Sequence, residues 1–81
     1  MARIILVDDE KQALREIHDE LQEQGWDVDA FHDPREALVA LQKSKYDLAV
    51  CDIKMPGMNG VELLDKAKKW QDDMDVIFIT A

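Results

Sequence analysis

Three aspartates stand directly after apolar runs: Asp8 and Asp9 after Ile4-Ile5-Leu6-Val7, and Asp52 after Leu48-Ala49-Val50-Cys51. Carboxylates in such places bind hard cations through oxygen, or attack phosphorus to give an aspartyl phosphate. Three like charges brought together repel unless something neutralises them. All-oxygen ligands at a partly hydrated site suit magnesium, which is held by one or two carboxylates plus phosphate oxygens. Each piece alone is unremarkable. An acidic pair after a strand is commonly a loop or a helix cap, and Asp9 with Gln12 has the spacing of a capping pair. The chemistry depends on whether the first and third apolar runs lie side by side.

The elements that must position these carboxylates are legible in the apolar pattern. Ile4 to Val7 has the length and continuity of a strand buried on both faces. Leu14, Ile17 and Leu21 fall on one helical stripe, with Gly25 as a stop. Val28 to Phe31 reads as a second strand. Asp33-Pro34-Arg35-Glu36 opens a second helix with a cap, a first-turn proline and a capping-box glutamate. Ala37, Leu38 and Leu41 form its stripe. Leu48 to Cys51 is a third strand, ending at Asp52. Pro56, Gly57 and Gly60 mark a loop. Asn59 with Glu62 starts a third helix, whose apolar side is expected to carry Val61, Leu64 and Ala67. Val76 to Ile79 is a fourth strand. The order βαβαβαβ predicts an α/β fold with a parallel sheet, helices on both faces and right-handed crossovers. Ligands in such sheets bind outside the carboxyl ends of the strands, where the strand order reverses.

Composition narrows the classes of function. The chain has 81 residues, 47% hydrophobic and 35% charged, which suits one globular domain spanning 1-81. A net charge of −8 argues against direct nucleic-acid binding by this segment, and Lys68-Lys69 is too short to reverse that. No apolar run approaches the roughly 20 residues needed to cross a bilayer. The single Cys51 has no internal disulfide partner, and a cytoplasmic location is expected.

Three stretches together resemble response-regulator receiver domains: Ile4 to Glu10, Asp52-Ile53-Lys54-Met55-Pro56-Gly57-Met58-Asn59-Gly60, and Ile77-Phe78-Ile79-Thr80-Ala81. The resemblance implies a flavodoxin-like three-layer sandwich with strand order 2-1-3-4. It makes Asp52 the phosphoacceptor, Asp9 a direct Mg2+ ligand and Asp8 one acting through water. Lys54 completes the metal shell with its backbone carbonyl, and its side chain tunes the lifetime of the phosphate. Thr80 supplies a hydroxyl to the phosphoryl group, and Ala81 leaves room beside it. The implied partner is a sensor histidine kinase or phosphotransfer protein. The implied role is phosphoryl acceptor, with at most self-phosphorylation and autodephosphorylation as enzymatic activity. Receivers of this family continue through a further helix, a fifth strand preceded by a lysine, and a last helix. Residues 1-81 are therefore expected to be the N-terminal part of the domain, truncated before the fifth strand.

Two alternatives stand beside this reading. Aspartyl phosphatases also use an Asp after a strand, but they want a second acid two residues later, where this chain has Lys54. The other alternative is a phosphotransfer-defective fragment acting only in self-association or protein binding. An uncovered fourth strand would offer an edge for a homodimer or larger oligomer. Cys51 is expected as a small buried side chain, and His18 and His32 as surface residues. Trp26 and Trp70 are expected at the margins of the core, and Tyr46 packed ahead of the third strand. Met55 and Met58 belong to the loop after Asp52.

Overall fold

The structure, a computed structural model, describes residues 2–79. Its elements are β1 (Arg3–Val7), α1 (Lys11–Glu23), β2 (Asp27–Phe31), α2 (Pro34–Lys43), β3 (Leu48–Asp52), α3 (Gly60–Ala67) and β4 (Asp75–Ile79). All strand pairs are parallel, in the order β2-β1-β3-β4. The chain moves from β1 outward to β2, then returns past β1 to β3. That reversal puts the ends of β1 and β3 side by side, with Val7 opposite Cys51.

Side-chain alternation along β1 splits the core into two layers. Ile4 and Leu6 pack with Leu14 of α1 and Val28 of β2. Ile5 and Val7 face the opposite way, against Ala37 and Leu41 of α2 and Leu63, Leu64 and Ala67 of α3. Every residue of β1 from Ile4 to Val7 is at most 1% exposed, as a central strand of a doubly covered sheet requires.

Local starts and stops show which sequence signals hold. Asp33 caps α2 by accepting from the Arg35 amide at 2.9 Å, and Asn59 caps α3 by accepting from the Glu62 amide at 2.8 Å. At α1 the cap position belongs to Glu10, whose side chain makes no capping bond, so the Asp9–Gln12 capping pair does not form. Gly25 closes α1 with φ 92°. Gly60 is the first residue of α3 and buried, not a loop residue. Val61 is 52% exposed; the buried side of α3 is Leu63, Leu64 and Ala67.

Two polar assemblies tie the layers together at the amino end of the sheet. Gln71 is 7% exposed, and its Nε2 donates to the Leu41 and Ser44 carbonyls at 2.7 and 2.6 Å. Its Oε1 accepts from the Tyr46 amide at 3.2 Å. The Tyr46 hydroxyl donates to Asp29 at 2.7 Å, and Arg3 reaches the same carboxylate at 3.0 Å. β4, like β2, is an edge strand among the described residues, and Val76, Ile77 and Phe78 are 39%, 53% and 39% exposed.

Candidate functional site

Asp8 follows the last residue of β1, and Asp52 is the last residue of β3. The pairing of Val7 with Cys51 therefore brings Asp8, Asp9 and Asp52 to one edge. One oxygen from each carboxylate lies within 4.8 Å of the others, close enough for one cation to span. The donor set is oxygen only, with no thiolate or imidazole, which fits a hard divalent ion.

The backbone holds two of these carboxylates. The Glu10 amide donates to Asp8 Oδ1 at 3.0 Å. The Lys54 amide donates to Asp52 Oδ1 at 3.2 Å, leaving the other oxygen of that carboxylate without this restraint. The Asp8 amide in turn donates to the Phe31 carbonyl at 3.1 Å, so the backbone ahead of the acidic pair is still anchored to β2. Asp8 is 8% exposed, whereas Asp9 is open to solvent.

These carboxylates line an open cleft of about 580 Å3. Lys54 stands at its rim, exposed. Ala13, Ile17 and Ile79 form an apolar wall that the motif itself does not announce. Ala13 and Ile17 lie one and two helical turns beyond Asp9, so the 3.6-residue period aims them at the same mouth. Cys51 sits immediately beneath, fully buried. Burial pushes its thiol pKa up to about 12, with the charges of Asp52 and Asp8 adding to the effect. The thiol is thus a packing group and not a nucleophile at neutral pH.

Asp8, Asp9, Asp52 and Lys54 are thus brought together. Thr80 and Ala81, expected beside the cleft, lie outside the described residues. His18 and His32 line a separate cleft between α1 and β2 and are not among the ligand group formed by the three aspartates. Among the described residues, no helix is long and apolar enough to cross a membrane.

The family model for the response regulator receiver domain matches residues 4–81. The transcriptional regulatory protein PcoR of Escherichia coli is 32% identical over 81 residues, covering 100% of this chain and 36% of PcoR. This chain spans about a third of the length of such curated relatives. A CheY-like receiver domain protein from Methanospirillum hungatei superposes with a TM-score of 0.93 at 35% identity, over 99% of this chain and 64% of that one. TrrA of Thermotoga maritima, solved with Mg(2+)-BeF, gives 0.91 at 38% identity, over 100% of this chain and 70% of that one. TrrA has also been solved with the histidine kinase ThkA, where the TM-score is 0.88.

Proposed function

This chain belongs to the response-regulator receiver domains of two-component signalling, and on that footing we propose that Asp52 is the carboxylate that takes the phosphoryl group. The observation that carries the assignment is the convergence of Asp8, Asp9 and Asp52 within 4.8 Å at the carboxyl ends of β1 and β3. One oxygen of Asp52 is held by the Lys54 amide, which turns the carboxylate toward the cleft. The other attacks phosphorus; the new O–P bond forms as the bond to the donor breaks, and the donor leaves with that electron pair. The product is an aspartyl phosphate on Asp52.

Asp8, Asp9 and Asp52, with the Lys54 backbone carbonyl, are the groups we assign to Mg2+. A magnesium ion there supplies positive charge that screens the incoming phosphoryl oxygens. That TrrA binds Mg(2+)-BeF supports the assignment. Thr80 is assigned the hydroxyl that meets the phosphoryl group, and the Lys54 side chain the rim position that governs access of water. The donor is a sensor histidine kinase or a phosphotransfer protein, in keeping with the TrrA–ThkA complex. We read residues 1-81 as the N-terminal part of such a receiver domain, acting as a phosphoacceptor and not as an enzyme on other substrates, in the cytoplasm. Titration with Mg2+ and beryllofluoride, followed by fluorine NMR, tests the site. A bound beryllofluoride signal that needs Mg2+ and vanishes in Asp52→Asn is expected; a signal that persists in that variant overturns the assignment.

As a second role we propose self-association of the chain through β4, whose Val76, Ile77 and Phe78 are exposed among the described residues. Two copies related by a two-fold axis would set β4 against β4 antiparallel, giving a continuous sheet across a homodimer.

A further inference from the structure

Gly60 approaches the main chain of Asp52 more closely than any other residue type permits. A Cβ at this position would lie 2.2 Å from the Asp52 carbonyl oxygen and 3.0 Å from Cys51 Sγ. The nearer atom is backbone, so it has no rotamer to retreat into. The helix itself gives no reason for a glycine here. The only glycines with positive φ are Gly25 and Gly57, and Ala is the better residue inside a helix. The cap is already supplied one position earlier by Asn59. What remains is the close approach to Asp52.

A second contact joins the same two segments. The Gly60 amide donates to the Ile53 carbonyl at 2.8 Å. Gly60 thus closes the loop that leaves Asp52 and returns as α3, and Lys54 lies inside it. The Lys54 amide is the donor that orients the Asp52 carboxylate at 3.2 Å.

We propose that Gly60 is a positioning residue of the phosphoacceptor site: its missing side chain lets α3 seat against Asp52 and holds the Ile53–Lys54 backbone where it orients the carboxylate. This rests on Asp52 being the phosphoacceptor. A methyl group at residue 60 displaces either the Asp52 carbonyl or the start of α3, and both movements shift Lys54 relative to the carboxylate. A displacement of this kind weakens capture of Mg2+ and transfer together, because both use the same backbone segment.

The test compares the wild-type chain with Gly60→Ala and with Leu64→Ala, which removes buried packing from the same helix one turn further along. Mg2+ affinity is measured by titration, and phosphorylation by a small acyl phosphate by intact mass, each scaled to the folded fraction. Gly60→Ala is expected to lose ten-fold or more in both, and Leu64→Ala to stay within two-fold of wild type. Gly60→Ala within two-fold of wild type overturns the proposal. Should Gly60→Ala not fold, amide NMR of the wild-type chain decides. The Gly60 and Ile53 resonances should move with Lys54 on Mg2+ addition, and an unmoved Gly60 overturns the proposal. A wild-type chain that takes neither Mg2+ nor phosphoryl sinks the phosphoacceptor reading itself. An active wild type with an equally active Gly60→Ala sinks the positioning role alone.

Discussion

The Ile53 amide donates to the Ile79 carbonyl at 3.2 Å, so β3 and β4 stay hydrogen-bonded one residue past Asp52. Asp52 itself stands opposite Ile79 in the register. On the other side, Val7 stands opposite Cys51, immediately before the acidic pair. The phosphoacceptor candidate is therefore carried on backbone paired with β4, one residue past the last β1–β3 pair, and the sheet brings the three like charges to one edge.

That arrangement makes the metal-free chain less stable than it could be. At the separations seen here, repulsion in a watery dielectric is on the order of 1 kcal/mol per pair. Relief on that scale raises the melting midpoint of so small a domain by about 4–8 °C. Asp9→Asn, which removes the most exposed of the three charges, should raise the midpoint in the presence of a chelator. It should also reduce the stabilisation that added Mg2+ gives. An unchanged or lowered midpoint without metal counts against a shared acidic pocket.

Gln71 should matter more to stability than its place in a surface turn suggests. Its amide serves the Leu41 and Ser44 carbonyls and the Tyr46 amide at once. Gln71→Leu leaves buried backbone groups without partners, at a cost of about 1–3 kcal/mol for such a group. Urea denaturation should show a lower midpoint with an unchanged slope. A loss below about 0.5 kcal/mol would mean that water takes over these bonds.

Alkaline pH should unfold the chain in a defined window. Burial, then the Asp29 hydrogen bond, pushes the Tyr46 phenol up to about 12, against its ordinary 10. Burial does the same for the Cys51 thiol, up to about 12 from 9. Both groups bind their proton more tightly in the folded state. The stability they contribute is fully present below the unfolded values and is lost as pH rises through the folded ones. Stability should therefore decline from about pH 9 toward 12, and Tyr46→Phe should flatten the upper part of that decline. A slope that is the same in Tyr46→Phe would remove the phenol from the explanation.

Self-association should run through β4. Light scattering is expected to report a dimer or larger species for the wild-type chain and dissociation on Phe78→Lys. A well-folded monomer at high concentration contradicts this. Dissociation is diagnostic only if circular dichroism shows that the variant keeps its helices.

Much of this architecture is legible in the sequence because the central strands are unbroken apolar runs that end in acids. Ile4 to Val7 and Leu48 to Cys51 could hardly be anything but buried strands, and their neighbouring positions place Asp8, Asp9 and Asp52 at one edge. Other features have no periodic signature. Gln71 acts on groups about thirty residues away, and Tyr46 reaches Asp29 across the sheet; neither bond leaves a trace in local spacing. Capping signals held where the side chain had an amide to serve, at Asp33 and Asn59. They failed at Asp9, whose carboxylate faces the cleft instead. Gly60 was legible as a turn residue by type, but its tertiary contact with Asp52 is what requires a glycine. Val61 carries an apolar side chain on the exposed side of α3, which periodicity over so short a helix does not resolve.

The phosphoacceptor role of Asp52 is most directly tested by intact-mass measurement after incubation with Mg2+ and a small phosphodonor. The expected result is the gain of one phosphoryl group by the wild-type chain, dependent on Mg2+, with none gained by Asp52→Asn. The same gain in Asp52→Asn, or none in a folded wild-type chain supplied with Mg2+, would contradict it.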